Sequence, residues 1–176
     1  MNPQGGSSPK GLKIRWADSG DGDALAEFRC SQGEWYEEET EEFLNVRAIE
    51  AVANETVFYR LLLAFEDELL VGCAGYHLEP LLLADGTFVD SIRLHVVALA
   101  TDRQGTKLND GASLADALVA TAADQATQQL GHDLFTAVIA QENERCLAVF
   151  ERLGDWSQVP RDSIYLRLTG RFRIAD

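Results

Sequence analysis

Apolar residues along this chain recur with period two in some stretches and period 3.6 in others, and their order predicts the architecture. Leu12–Trp16 predicts a short strand, and the Gly- and Asp-rich turn Asp18–Asp23 leads through an N-cap into a helix over Ala24–Cys30. The charged stretch Glu34–Glu42 leads into a second helix, about Glu41–Ala53, with Phe43, Val46, Ala48, Ile49 and Val52 as its buried stripe. Val57–Phe65 and Leu69–His77, joined by Glu66–Glu68, predict a hairpin, with Gly72 and Gly75 placed for close approach or a bulge. Ser91–Ala100 is a further strand. Ala112–Leu130 is a long helix whose ridge is Leu114, Leu118, Ala122, Ala126 and Leu130, ended by Gly131. Leu134–Ala140 predicts a strand, Glu142–Leu153 a helix closed by Gly154, and Ser163–Leu168 a last strand.

One strand–helix–strand unit stands out, residues 91–140, whose two strands should be parallel with a right-handed crossover. The other strands come as hairpins. The expected fold is therefore one α/β (α+β) domain over residues 12–176, with a mixed central sheet of about six to seven strands flanked by about four helices. Residues 1–11, rich in Gly, Ser and Pro, are expected to form a flexible tail.

Composition narrows the function. The 176 residues, 46% of them apolar, suffice for one core. The 29 acids outnumber the 15 Lys and Arg, giving −14, which argues against a phosphate-backbone binder and against docking on an anionic membrane. No apolar run reaches the roughly 18 residues of a membrane helix. The charge is uneven: residues 1–100 hold 18 acids and seven bases, residues 101–176 hold 11 and eight. Cys30, Cys73 and Cys146 are scattered thiols without a C-x-x-C pair, which fits a reducing cytoplasm. With three scattered His they suggest no metal site.

Strand 91–100 carries the first chemical signal. Ile92, Leu94, Val96 and Ala98 alternate with Arg93, His95, Val97 and Leu99. An interior strand of an α/β sheet is usually apolar on both faces, so Arg93 and His95 lie either in a cleft or near an exposed strand end. The loop over 102–111 then enters a helix N-terminus, where open N–H groups and the helix dipole favour an anion. Arg103 and Lys107 add positive charge. Neither G-x-x-x-x-G-K-[ST] nor G-x-G-x-x-G is present.

From Val97 to Leu114 the chain resembles the GNAT superfamily of acyl-CoA-dependent N-acyltransferases, whose members read L-x-V-x-P-x-x-R-G-x-G-x-G-x-x-L from strand to helix. Gln104 matches the residue that opens the family's pyrophosphate loop, and Gly111 onwards matches its helix start. The loop here is two residues longer, and Asn109 stands where Gly is usual. Asn143–Gly154 more closely resembles the family's N-x-x-A-x-x-x-Y-E-K-L-G helix. The resemblance implies acetyl-CoA as cosubstrate. It implies a pantetheine grip at Val97, Ala98 and Leu99 and at the strand around residue 138. It also implies a pyrophosphate site over Arg103, Gln104, Gly105, Thr106, Lys107, Asn109, Gly111 and Ala112. Asn143 is either a cofactor contact or a plain helix N-cap. The family's acidic Tyr aligns with Phe150, which has no hydroxyl and is expected to pack against the pantetheine; Tyr165 and Cys146 are possible substitutes.

Acyl transfer to an amine needs a proton acceptor and an oxyanion site, the latter available from strand amides near Val97–Leu99. His95, which titrates near neutrality, is the candidate base, with Glu79 and His77 next. Glu34–Glu42 packs six carboxylates into nine residues. It reads as a solvated helix start or, through the resemblance, as the border of an acceptor pocket in which Trp35, Tyr36 and Glu38, with Arg93, receive a cationic amine. The expected function is a cytoplasmic N-acetyltransferase moving an acetyl group directly to a primary amine. The alternative is a catalytically degenerate acyl-CoA-binding or sensor domain. An aminoacyl-tRNA acceptor is the least expected, given the charge. Expected partners are a small-molecule or peptide amine, with no nucleic acid, no membrane, and a homodimer by family analogy.

Overall fold

A computed structural model describes residues 12–53, 60–108 and 111–173. The elements are β1 (Lys13–Trp16), α1 (Gly22–Glu27), α2 (Trp35–Glu42), α3 (Ile49–Ala53), β2 (Arg60–Glu66), β3 (Leu69–Leu82), β4 (Phe88–Leu99), α4 (Leu114–Leu130), β5 (Phe135–Ala140), α5 (Glu144–Leu153), β6 (Gly154–Pro160) and β7 (Tyr165–Phe172). The seven strands form one mixed sheet in the order β1-β2-β3-β4-β5-β7-β6. Only β4 and β5 pair in parallel, around the α4 crossover, as the 91–140 unit predicts. The expected tail at 1–11 and the first residues of the Val57–Phe65 strand lie outside the described residues.

The sheet carries a core on each face. On one, the ridge of α4 packs Leu118, Val119 and Ala122 onto Leu62, Tyr76, Ile92 and Leu94, and Gly131 ends the helix in the left-handed conformation. On the other, Leu25, Leu44 and Ala48 pack onto Leu61, Leu63, Cys73, Val96 and Ala98.

Four expectations change. The acidic stretch is itself helical: α2 runs straight into a π-helical segment over Phe43–Ala48 and then α3. Glu37 and Glu38 stand in the first turn, where acids stabilise a helix. The wider π turn also shifts the buried stripe, so Leu44 and Ala48 are buried while Val46 is 54% exposed. Gly154 caps α5 as expected, its amide bonded to the Phe150 carbonyl, but at φ −158° it is extended and also begins β6, an unexpected strand whose sequence Gly154–Pro160 has no apolar alternation. The first helix ends at Glu27 rather than Cys30, because Phe28 is extended.

The fourth change builds the site. Gly75 pairs with Val96 but Tyr76 pairs with Leu94, so His95 is an extra residue, a β-bulge. The bulge reverses the alternation of β4. Ile92 and Leu94 belong to the α4 face, whereas Val96 and Ala98 belong to the opposite face. The four do not share one side, as strict alternation predicts. A bulge also bends and twists its strand. Correspondingly, β4 pairs with β5 only at Ile92, Arg93 and Leu94, although β4 continues to Leu99 and β5 to Ala140. The two strands splay apart beyond that point.

Candidate active site

Two adjoining cavities occupy the splay. The outer, about 490 Å³, is lined by Val97, Ala98 and Leu99 of β4, by Gln104, Gly105, Thr106 and Lys107 of the following loop, and by Asn143, Arg145, Val149 and Arg152 around α5. The inner, about 340 Å³, lies under α2 between β4 and β5, with Glu39, Phe43, Arg93, His95, Val138, Phe150 and Tyr165 on its walls. Tyr36, Thr40, Val97, Asn143 and Cys146 line both, so the two cavities adjoin at the splay.

The outer cavity carries positive charge on Lys107, Arg145 and Arg152 against one carboxylate, Glu37. Arg152 is already paired with Asp116 at 2.6 Å. Arg103 lines neither cavity, being held by Glu66 at 2.7 Å and Asp102 at 3.0 Å. Gly111 and Ala112 also stand outside the lining, and Asn109 lies outside the described residues. Much of the loop's backbone is used internally: the amides of Thr106, Leu108, Gly111 and Leu114 donate to the Arg103, Ala112, Leu108 and Thr106 carbonyls, respectively. Gly105, at φ +80°, needs the left-handed conformation that glycine adopts without strain. Asn143 caps α5, its Oδ1 accepting from the Cys146 amide at 3.0 Å, while the residue also lines both cavities.

The inner cavity adjoins a half-buried polar cluster. Glu79 accepts from Thr136 Oγ1 at 2.7 Å and from Arg93 at 3.2 Å. His77 stands between Glu79, 3.9 Å from its Nε2, and His95, 3.2 Å between the two Nδ1 atoms. Gly75 opposite has no side chain, and a Cβ there would come within 2.5 Å of His95 Nε2, so the glycine makes room for the ring. Burial, with His77 and Arg93 adding to it, pushes the His95 pKa down to about 3. His77 is also lowered, again chiefly by burial. Both rings are therefore neutral at pH 7, which corrects the expectation of a His95 that titrates near neutrality.

Trp35 Nε1 donates to Glu142 at 3.1 Å, and its ring meets Tyr36 and Tyr165 edge-on. Tyr36 reaches both cavities, whereas Glu38 is exposed and lines neither; Glu37 and Glu39 take those places. Phe150 is buried against Trp156 and Phe172. Tyr165 donates its hydroxyl proton to Glu39 at 2.8 Å, and burial raises its pKa to about 12, Glu39 adding to the effect. Burial raises the Cys146 thiol to about 12 as well. Residue patterns missed Arg145, Glu37, Glu39 and Thr40. Of these only Arg145 had a visible signal, its place two residues after the Asn of the family-like helix. Among the described residues no group of three His, Cys, Asp or Glu is placed to hold a metal ion, and no helix is long and apolar enough to cross a membrane.

No protein-family model matches the chain, and no curated protein matches it in sequence. Solved structures do match its fold. A GNAT-family acetyltransferase from Desulfovibrio desulfuricans superposes with a TM-score of 0.66 at 19% identity, covering 93% of this chain and 99% of that one. The PaiA N-acetyltransferase of Thermoplasma acidophilum, in complex with coenzyme A, gives 0.63 at 14% identity over 89% and 97%. A mutant AtaT toxin bound to the C-terminus of the antitoxin AtaR and to acetyl-CoA gives 0.64 at 20% identity over 90% and 92%. The single-domain α+β fold expected from the sequence is thus that of GNAT-family acetyltransferases.

The same comparison corrects the expected partners. Structures with this fold include the KacTA–DNA complex and the AtaT–AtaR complex bound to DNA, so the fold also serves in assemblies with antitoxin proteins and DNA. Neither the exclusion of nucleic acid nor the small-molecule or peptide amine partner stands on this evidence. The physical reason is that net charge is an average. Residues 145–173 of this −14 chain hold six Arg against three acids, and an assembly's charge includes its other chains.

Proposed function

We propose that the chain is an acetyl-CoA-dependent N-acetyltransferase that passes an acetyl group directly to a primary amine. The pair of adjoining cavities at the β4–β5 splay is the observation that carries this reading. It sets a cation-lined outer cavity, suited to a phosphate-bearing cofactor, beside an inner one walled in part by His95, Arg93 and Tyr165. The residues fit acetyl-CoA: Val97, Ala98, Leu99 and Val149 offer an apolar wall for the pantetheine, and Lys107, Arg145 and the loop from Gln104 to Thr106 offer charge and donors for phosphate. Acetyl-CoA supplies an activated thioester. The remaining chemistry falls to the protein.

Backbone N–H groups of Val96–Leu99 on the edge facing β5, which make no strand pairing there, are the oxyanion donors. Val97 and Tyr36, shared by both cavities, position the amine against the thioester carbon. The attacking amine must shed one proton. A ring with a pKa of about 3 does not retain it. His95 therefore acts as a conduit, passing the proton through His77 towards Glu79, which Thr136 and Arg93 hold in place. The departing thiolate receives no proton from Phe150, and Tyr165 directs its own to Glu39. The Tyr36 and Glu39 wall suits a cationic acceptor.

Titration calorimetry with acetyl-CoA, followed by detection of free CoA over a panel of amines, tests this. We expect binding and amine-dependent CoA release. No binding overturns the reading; binding without transfer to any amine favours the degenerate, cofactor-holding alternative instead.

A further inference from the structure

Three segments meet over the mouth of the outer cavity, and one side chain joins them. Gln104 Oε1 accepts from Arg145 at 2.5 Å and from Gln32 Nε2 at 2.9 Å, while Gln104 Nε2 donates to the Cys30 carbonyl at 2.8 Å. The guanidinium of Arg145 is also 3.9 Å from Glu37. Glu37 in turn accepts the Gln32 amide at 2.6 Å and has only 13% of its side chain exposed. Arg145 thus ties α5 to the phosphate-side loop and to α2, the helix that roofs the inner cavity. Its own side chain remains 69% exposed, within reach of an incoming anion.

Resting on the cofactor reading above, we propose that Arg145 is a two-position switch. In the structure it is shared between Gln104 and Glu37. When the cofactor's phosphate group reaches the Gln104 loop, Arg145 turns to the phosphate and gives up Glu37. A guanidinium fork suits this exchange, since it binds carboxylate and phosphate in the same bidentate manner. The exchange has a consequence for the acceptor side. Glu37 stands next to Tyr36 and near Thr40, which line both cavities, so loading uncovers a carboxylate on the roof over which a cationic amine enters. Cofactor binding then strengthens acceptor binding, and by linkage the reverse holds. Of the other outer-cavity cations, Arg152 is committed to Asp116, and Arg103 of the Gln104 loop is held outside the lining by Glu66.

The proposal makes Glu37 a competitor of the phosphate for Arg145, which a double-mutant cycle on CoA affinity measures. Calorimetric titration of CoA into the wild type, Arg145→Gln, Glu37→Gln and the double variant reads it, with phosphate-free pantetheine as control ligand and a thermal melt of each variant to show that it is folded. We expect Arg145→Gln to weaken CoA about fivefold or more, Glu37→Gln to tighten it about two- to fivefold, and Glu37→Gln to do nothing in the Arg145→Gln background. Pantetheine affinity should be alike in all four. If Glu37→Gln tightens CoA equally in both backgrounds, Glu37 merely repels the anion and the switch is overturned. An unchanged CoA affinity in Arg145→Gln overturns it as well. Failure of the wild type to bind CoA would instead bring down the cofactor reading on which it rests.

Discussion

The outer and inner cavities share five residues but are built by opposite means. The outer one is assembled from separate segments, α2, β4 with its loop, and α5, and its cations lie at the surface. The inner one is a consequence of a single inserted residue, His95, in the middle of a strand. Its polar groups come from β3, β4 and β5 and are largely withdrawn from water. The difference teaches that the two adjoining cavities can be perturbed separately: binding should respond to the outer side and proton handling to the inner.

The largest separation is expected from Glu79→Gln. It keeps the size of the side chain but removes the terminal proton acceptor behind His77, so turnover should fall about 10²-fold or more, within the range of general-base contributions. Acetyl-CoA affinity, set on the outer side, should change less than about threefold. Steady-state kinetics and calorimetry on the same sample check both halves. Comparable losses in the two would show that the cavities are not functionally distinct.

The glycines separate the regions in stability. A Cβ at Gly75 would meet His95 Nε2 at 2.5 Å and Val96 Cγ1 at 2.7 Å. Overpacking of a rigid, buried ring predicts a loss of about 1–3 kcal/mol for Gly75→Ala in denaturant unfolding. At Gly105 nothing lies within 4 Å of an added Cβ, and only the left-handed φ of +80° opposes a side chain. Gly105→Ala should therefore cost about 1 kcal/mol, without moving the inner cluster.

A pH experiment isolates the buried ring. The folded pKa of His95, about 3, lies below the unfolded value near 6.5. Between these values the unfolded chain binds the extra proton, so stability rises with pH. The contribution of the buried neutral ring is complete above about 6.5 and is lost as pH falls from there through about 3. Wild type should lose stability more steeply than His95→Asn on acidification from pH 6.5 to 4, by at most about 1.4 kcal/mol per pH unit. Parallel curves would mean that the ring is not held neutral.

These contrasts follow what the residues announced. The α4 ridge and the Asn143 cap were readable because they depend on neighbours three or four positions away, and the parallel β4–β5 unit because a strand–helix–strand order implies the crossover. The inner side was not. Gly75 signalled close approach or a bulge, but nothing local says that the extra residue is His95, and strict alternation then assigns Val96 and Ala98 to the wrong face. Strand β6 was invisible because Asp155–Gln158 has no apolar period and its place depends on pairing with β7. Arg103 and Glu38 misled in the same way: the charge was legible, but the partner that claims it, Glu66, or the solvent that keeps it, was set by the fold.

The smallest expected effect tests that last point on the outer side. Arg103 and Lys107 are four residues apart and of equal charge, so a reading by sequence treats them alike. In the structure Arg103 is bonded to Glu66 and Asp102 away from the cavity, while Lys107 lines it. A cation already neutralised by two carboxylates adds little field at the cavity. One at the wall, acting through water at about 4 Å, is worth on the order of 1 kcal/mol to an anion. Lys107→Gln should therefore weaken CoA about three- to tenfold and flatten the dependence of affinity on salt, as removal of a phosphate-facing charge does. Arg103→Gln should change CoA affinity less than twofold at every ionic strength and cost, at most, the modest stability of a partly exposed ion pair. Titrations at 50 and 300 mM salt distinguish them. An equal loss from both would mean that Arg103 leaves Glu66 when the cofactor binds, and that the charge of the loop acts as a whole.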